Sequence, residues 1–327
     1  MRCKVALAFL LFGCNSTPPM DGFTVGKPPL KQPPANAVGG FSIQLPTITL
    51  QPGDEQLLCY IFPLAIDGPS RIVAGATLNT TPGLHHGNIT ARASTGTGFR
   101  ACPADGTGSE GLDIASGGAW LFASSTQVSG QEWISFPPGM GYRVKDGFEI
   151  VARVHFLNAT PEPLTIAPSY QWYTIDEASL TQELAPFGWV YSKFTIPAQS
   201  TTTVTGECTF PSATHPMHVV EVLPHMHKMG IGFDAGVIGG PLDGQDFLAS
   251  PGYDPERGVF QQYDPAIDLS AVDGIRFGCT WHNPTDVAVG EGIGNNEMCM
   301  LFGYAWPPDS AWSALATQGS CIMSQVR

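Results

Sequence analysis

The stretch FEIVARVHFLN, residues 148–158, predicts a β-strand because every even-numbered position from 148 to 156 is apolar. Successive side chains of a strand point to opposite faces, so these positions form one buried face. His155 falls on the other face, together with Val151 and Arg153. A histidine in that position is free to point at a binding site, although a lone histidine is more often structural.

Similar β-rich runs recur along the whole sequence, whereas helical periodicity is weak. They include residues 41–50, 70–78, 194–210, 217–223, 274–281 and 298–306. The 38 glycines and 29 prolines among 327 residues fit many short strands joined by turns. One short helix-like stretch, IDEASLTQELA at 175–185, lies near the middle and suggests a domain boundary. We therefore expect an all-β fold of two tandem antiparallel β-sandwich, jelly-roll-like domains, residues 39–184 and 185–327.

The N-terminus, MRCKVALAFLLFGC, has the organisation of a bacterial lipoprotein leader. Arg2 and Lys4 precede an apolar segment that is too short to span a bilayer. LFGC matches a lipobox, which predicts that residues 1–13 are a signal peptide and that Cys14 is lipidated. Residues 14–38 would then be the lipidated cysteine and a proline-rich spacer. An ordinary secretory signal is the alternative.

These features predict an exported protein, namely a bacterial outer-membrane or cell-surface lipoprotein that faces the periplasm or the exterior. Its contact with the membrane would be the N-terminal lipid anchor, and Asn15 after the lipidated cysteine favours the outer membrane. The formal net charge of −13 argues against nucleic acid, or an anionic membrane surface, as a partner.

Cysteines outside the leader indicate disulfides. An even number of them in an exported chain favours bridges over free thiols. Their spacing alone does not choose among the possible pairings, and none forms a C-x-x-C motif typical of zinc or redox sites. The six are Cys59, Cys102, Cys208, Cys279, Cys299 and Cys321.

Histidines are few, and four of the eight occur in pairs. In VEVLPHMHKMG, residues 220–230, His225 and His227 share one face of a predicted strand, with Met226 on the other. In TPGLHHGN, residues 81–88, His85 and His86 are adjacent, so both could bind one ion only at a turn or an irregular strand. His218 has the opposite parity and is expected to be structural, while His215 and His282 have no assigned role.

A possible further ligand for the second pair lies in NNEMCM, residues 295–300. Met298 and Met300 share a face there, and Cys299 points the other way. Imidazole suits several transition metals, but a thioether is a soft ligand that selects copper.

Taken in order, these histidine motifs and NNEMCM, with PPGMGYRV (137–144) and GIRFGCTWHN (274–283), resemble the copper type II, ascorbate-dependent monooxygenases. That family includes peptidylglycine α-hydroxylating monooxygenase and dopamine β-monooxygenase. The resemblance covers roughly residues 50–325. It implies hydroxylation of a C–H bond of a small molecule by O2, with ascorbate or another one-electron donor as reductant.

The resemblance also implies two copper ions, one on each domain, facing across a cleft. The electron-transfer copper would be held by His85, His86 and His155, and the oxygen-binding, catalytic copper by His225, His227 and Met298. The disulfides that it implies are Cys59–Cys102, Cys208–Cys321 and Cys279–Cys299. The animal enzymes have further bridges in the first domain that this chain lacks.

Three candidate substrate-binding positions depart from the family. Leu223 stands where the peptide-amidating enzyme has an arginine that grips the substrate carboxylate. Met300 and Phe302 stand where it has an asparagine and a tyrosine that contact substrate. Because an arginine is the residue that would hold a carboxylate in bidentate fashion, we expect an uncharged or apolar substrate rather than peptidylglycine.

Two other functions fit the sequence. The ligand set alone permits a non-catalytic surface lipoprotein that binds or captures copper. An adhesion-type double sandwich with vestigial metal sites is a weaker alternative, because all six ligand positions are intact. Hydroxylation of a small molecule by the copper-loaded protein would distinguish the enzyme from both.

Overall fold

The computed structural model describes residues 26–28, 30–66, 68, 70–103, 118–124, 128–210, 216–254, 260–292, 295–308, 315–317 and 321–326. The predicted signal peptide, the predicted lipidation site Cys14 and the unassigned His215 lie outside these residues. The described chain contains no helix long and apolar enough to cross a bilayer.

The fold is all-β, as predicted. The first half contains strands β1 (Gly39–Gln44), β2 (Ile48–Leu50), β3 (Glu55–Pro63), β4 (Ser70–Ala93), β5 (Arg100–Ala101), β6 (Ala119–Ala123), β7 (Val128–Ser135), β8 (Met140–Lys145), β9 (Phe148–Leu157), β10 (Leu164–Ile166) and β11 (Ser169–Ile175). The stretch that predicted the fold is β9, and its even-numbered face lies in the core as expected.

The second half contains β12 (Gln182–Tyr191), β13 (Thr195–Ile196), β14 (Ser200–Thr209), β15 (His218–His225), β16 (Gly230–Ile238), β17 (Asp246–Pro251), β18 (Gln261–Asp268), β19 (Gly274–Asn283), β20 (Val289–Gly290), β21 (Cys299–Trp306), β22 (Leu315–Thr317) and β23 (Cys321–Val326). Helical structure in the described residues is confined to two 3-10 turns, Glu177–Ser179 and Gly240–Leu242.

The helix-like stretch at 175–185 is therefore only one turn of 3-10 helix followed by a strand. The helical expectation was wrong because the chain from Gln182 onward finds strand partners in both halves. Residues Gln182–Leu184 of β12 pair in parallel with β8, and residues Ala185–Tyr191 pair with β21. The expected domain boundary at 185 thus falls inside β12, at the change of partner.

The long strand β4 builds the first sandwich by contributing to both of its layers. Its first part pairs with β7, β8 and β11, and its second part pairs with β6 and β9. The strand bends between Thr80 and Leu84, where Gly83 has a φ of +110°. A side chain at this position would also collide with Ile166, because an added Cβ would lie 2.3 Å from its Cδ1. The bend therefore needs glycine.

A five-stranded sheet, ordered β17-β16-β19-β14-β23, forms one layer of the second sandwich. The facing layer is β18-β15-β21-β12, which belongs to a 14-stranded sheet that continues into the first half. Buried aromatic side chains of both layers, such as Trp189, Phe277 and Trp281, fill the space between them. Burial of this apolar surface is what holds the two layers together.

The two halves also share a core. Val220, Leu223, Phe260 and Tyr304 of the second half belong to the apolar cluster of the first. Tyr304 stacks on Tyr142 with ring centroids 5.5 Å apart and planes inclined by 11°. The halves are therefore packed against each other through side chains as well as through β12.

The predicted spacer is folded onto both halves where the structure describes it. Lys27 forms two backbone hydrogen bonds with Gln262 of β18, of 2.9 and 2.7 Å. Pro34 packs on Gly75 of β4, where an added Cβ would lie 3.1 Å from the proline Cγ. Residues 26–28 and 30–38 are thus a strap across the junction rather than a detached linker.

Two of the three implied disulfides are present. Cys59–Cys102 and Cys279–Cys299 have Cα–Cα distances of 5.3 and 5.9 Å. Cys208 of β14 lies opposite Cys321 of β23 in backbone register, as the third pairing requires, but the Cys321 side chain is outside the described residues. Disulfides are typical of proteins that fold in an oxidising compartment, which supports export.

Glu221 is a fully buried carboxyl group at the junction of the halves. Its Oε2 accepts a hydrogen bond of 3.3 Å from Gln262, whereas Oε1 has no partner among the described residues. Burial disfavours the charged form and raises the pKa of Glu221 to about 8, from a usual 4.5. Glu221 is therefore protonated in the folded protein at neutral pH.

We expect Glu221→Gln to remove part of the loss of stability that accompanies a rise in pH toward 8. Between the unfolded and folded pKa values the native state binds one more proton than the unfolded state, so the stability falls as pH rises until it levels off just above pH 8. The wild type should lose about 2 kcal/mol from this group between about pH 6.5 and 8.5. Denaturant unfolding of both proteins at each pH measures the difference. Equal pH dependence in wild type and variant would contradict the assignment.

Candidate metal centre

A β-bulge brings the adjacent histidines of β4 to one side. Leu84 lies opposite Phe156 and His86 lies opposite His155, so His85 is the extra residue in the ladder with β9. This is the irregular strand that a shared site for His85 and His86 requires. The rings of His85 and His86 lie 4.8 and 4.9 Å from that of His155. One nitrogen from each of the three lies within 4.8 Å of the others.

This first set presents free ring nitrogens. Nδ1 of His85 and Nδ1 of His86 are buried and make no hydrogen bond within the described structure. Nε2 of His155 lies 2.7 Å from Oε1 of Glu55, to which it donates, so the lone pair of His155 is on Nδ1. A carboxylate that orients a histidine in this way is common around protein-bound metals.

The second set lies where β15 meets β21. His225 is opposite Met300, and Leu223 is opposite Phe302. The rings of His225 and His227 are 5.3 Å apart, which agrees with their predicted common side. Met226 between them is fully buried in the core of the second half, as predicted for a packing residue.

His227 also has a free nitrogen. Its Nδ1 donates a hydrogen bond of 2.8 Å to the carbonyl oxygen of Asn296, so the lone pair is on Nε2. That Nε2 is buried and has no partner among the described residues. Extended by two more residue pairs, the register of β15 and β21 would bring Met298, a half-buried residue, opposite His227.

Glu297 was not predicted as a site residue, yet it fixes this loop. It is fully buried, and its two carboxylate oxygens accept the backbone N–H groups of His227 and Met229, both at 2.8 Å. Burial raises its pKa to about 7 against the effect of these hydrogen bonds. The only signal in the sequence is an acidic residue directly before Met298.

We expect Glu297→Gln to weaken metal binding by the second set about 10- to 100-fold and to spare the first set. Glutamine replaces one carboxylate oxygen, which accepts a hydrogen bond, with an NH2 group, which donates one. This NH2 group would face a backbone N–H group without an acceptor between them, so the loop that carries His227 should shift. Competition titration with a copper(I) chelator measures both affinities. Glu291→Gln is the matched control, because Glu291 is a nearby exposed glutamate. Unchanged affinity of the second set in Glu297→Gln would contradict this role.

The two sets adjoin. The ring of His86 lies 6.1 Å from that of His225, and 5.9 Å from that of His227 with an interplanar angle of 23°. This differs from the expected arrangement across a cleft, because rings in contact leave no open space at this point. The cause is the shared core and the continuous sheet, which hold the halves together.

The surroundings favour the neutral form of His85, His86, His225 and His227. Burial, followed by repulsion from neighbouring histidines, lowers the pKa of His85 to about 4 and that of His225 to about 3. Burial likewise lowers the pKa values of His86 and His227. Neutral imidazoles with unpaired buried nitrogens suit a transition-metal ion, so the histidines present fit the metal class that the resemblance implies.

The predicted substrate-binding residues lie on the face of β15 and β21 that carries His225. Leu223 is only 2% exposed and packs in the shared core. Phe302 contacts Trp120 of the first half, with ring centroids 4.9 Å apart, and its ring lies 6.4 Å from His225. Met300 is half-buried. This face is apolar, as expected, and the first half covers much of it.

The remaining described histidines have other contacts. His218 stacks on Trp306 at 3.8 Å, which agrees with its predicted structural role. His282 is exposed, and its Nδ1 lies 3.1 Å from the hydroxyl of Thr201.

No protein-family model matches the sequence, and no curated protein is significantly similar to it. Among solved structures, the STIV MCP has 9% identity and a TM-score of 0.34, with 82% of this chain and 96% of that chain covered. The PBSX exported protein XepA has 9% identity and a TM-score of 0.21, with coverage of 86% and 97%. The infectious bursal disease virus Gx strain structure has 13% identity and a TM-score of 0.21, with coverage of 89% and 80%. Structural similarity at TM-scores this low supports no inference about this chain.

Proposed function

We propose that this protein is a copper-dependent monooxygenase that hydroxylates a C–H bond of a small, uncharged or apolar molecule, using O2 and a one-electron donor such as ascorbate. The observation that carries the proposal is the cluster of five histidines in which three buried nitrogens have no hydrogen-bond partner among the described residues. Such nitrogens cost free energy unless a ligand uses them. The resemblance of the motifs to the copper type II monooxygenases supplies the reaction.

The two sets of ligands have different chemistry. His85, His86 and His155 offer three imidazoles, whereas the second set would add the thioether of Met298 to the imidazoles of His225 and His227. Bound copper would supply one-electron redox chemistry and activation of O2. The chain itself orients the ligands: Glu55 holds His155, and Glu297 holds the loop of His227. Burial keeps the imidazoles of His85 and His225 unprotonated and so available as ligands.

The preferred substrate class follows from the face that carries His225. Leu223, Met300 and Phe302 offer no charge, so a substrate carboxylate would lose its usual partner there. We expect glycine-extended peptides to bind about 10- to 150-fold more weakly than to a site with an arginine, since such a contact is worth about 1.5–3 kcal/mol. Turnover assays with a peptide and with uncharged aromatic compounds test this. Efficient amidation of the peptide would show that another residue supplies the positive charge.

Export by a lipoprotein leader is part of the proposal. Lipidation of Cys14 would anchor the chain in the outer membrane or at the cell surface, with the copper sites facing the periplasm or the exterior. Intact mass and detergent partitioning of the exported protein test this, and a soluble product without lipid would favour the ordinary secretory signal.

A non-catalytic, copper-capturing lipoprotein is the second candidate. The observation that favours it is the covering of Leu223 and Phe302 by the first half, which limits access for a substrate. One experiment separates the two. Purified, copper-loaded protein with ascorbate, O2 and a panel of small molecules forms a hydroxylated product if it is an enzyme. Reduction and reoxidation of the metal without any product would indicate capture.

A further inference from the structure

His86 is the centre of the histidine cluster. Its ring lies 5.2 and 4.9 Å from those of His85 and His155, and 6.1 and 5.9 Å from those of His225 and His227. A residue assigned to one set therefore lies next to every other histidine of both sets. Two independent sites would not produce such an arrangement.

Packing around the cluster holds this geometry in place. Trp120 contacts Phe302 at 4.9 Å, and Phe136 contacts Tyr304 at 4.8 Å, each pair joining the first half to the second. These rings lie in or against the shared core. Aromatic pairs contribute about 0.5–1.5 kcal/mol each beyond the area that they bury, so separation of the halves is opposed at several points.

The backbone adds two connections. The strand β12 pairs with β8 of the first half and with β21 of the second, and β21 carries Met300 opposite His225. On the other side of the junction, Lys27 of the strap is hydrogen-bonded to Gln262 of β18. Contact between the two histidine sets is thus built into the sheet and does not depend on a movable linker.

We infer that the five histidines and Met298 form one coupled binuclear copper centre, with His86 between the two ions. This rests on copper binding as proposed above, but not on hydroxylation. The stacking of His86 on His227 brings a ligand of one ion against a ligand of the other. Two copper(II) ions held in this way interact magnetically, whereas ions on opposite sides of a solvent-filled cleft behave as isolated spins.

Electron paramagnetic resonance of the full chain tests the coupling. After titration with copper(II), we expect one isolated signal up to one equivalent. With the second equivalent we expect lost intensity, or a half-field line, so that the integrated signal falls well below the bound copper. Two equivalents that integrate fully to two isolated spins would overturn the coupled centre and leave the proposed function intact. A chain that binds no copper would overturn both.

A substitution at the centre of the cluster gives a second test. His86→Ala should lose the first ion and the coupling together, and leave one isolated signal from the second set. His282→Ala is the control, because His282 is exposed and contacts Thr201 instead of the cluster. Coupling that persists in His86→Ala would contradict the position of His86 between the ions. If this variant does not fold, the titration of the wild type decides.

Discussion

Met298→Ile is expected to abolish hydroxylation and to leave the copper held by His85, His86 and His155 in place. The substitution keeps an apolar side chain of similar volume, so the half-buried position should tolerate it at a cost of less than about 1.5 kcal/mol. It removes the thioether, the soft ligand that favours copper in the second set. Loss of a direct ligand should lower activity by more than the roughly 10- to 100-fold loss that follows mutation of a residue that only hydrogen-bonds to a ligand.

Product formation and copper content, measured on the same sample, test this result. Met300→Ile is the matched control, because Met300 is also half-buried and lies opposite His225, but has no assigned role as a ligand. We expect the control to keep both ions, and copper content is the basis of the comparison because Met300 is also a candidate substrate-binding position. A Met298→Ile protein that retains full activity, or a control that loses the second copper ion instead, would mean that the thioether ligand is assigned to the wrong methionine.

Removal of the Cys279–Cys299 disulfide is expected to lower the free energy of unfolding by about 3 kcal/mol and to weaken the second set selectively. The bridge ties β19 to the first residue of β21, next to Met298, and both cysteines are fully buried. Without the bridge, the segment that carries Met298 is held to the loop of His227 only by hydrogen bonds, such as those of Glu297 and Asn296. Double replacement by alanine avoids a buried free thiol.

The Cys59–Cys102 bridge is the control for this prediction. It joins β3 to the residue after β5, in the first half and away from Met298. Its removal should also lower stability, but the copper affinity of the second set should remain that of the wild type. Denaturant unfolding and copper(I) competition on both double variants separate the two effects. Equal losses of affinity in both would mean that stability alone accounts for the change.

The local parts of this structure could be predicted from sequence, because they depend on alternation and on neighbouring residues. The face of β9 follows from residues 148–156, and the burial of Met226 follows from its parity relative to His225 and His227. The two described disulfides agree with the pairing that the resemblance implies. Adjacent histidines required an irregular strand, and the bulge at His85 supplies it.

Features that depend on long-range packing could not be predicted. The contact of His86 with His225 and His227 results from the core that the two halves share, and no spacing in the sequence encodes it. Glu297 was missed because its partners are backbone N–H groups about 70 residues away, which leave no pattern of side chains. The expected helix at 175–185 failed because β8 and β21 offer β12 partners that local propensity does not reveal.

Metal analysis of the purified, exported protein tests the central claim most directly. The protein is incubated with copper and zinc together and then desalted. Elemental mass spectrometry and the protein concentration give the number of ions of each metal per chain. The six ligand positions predict two copper ions per chain, and one copper ion in a variant without His225 and His227. One zinc ion and no copper in the wild type would contradict the account, because the five histidines and Met298 would then not be a copper centre.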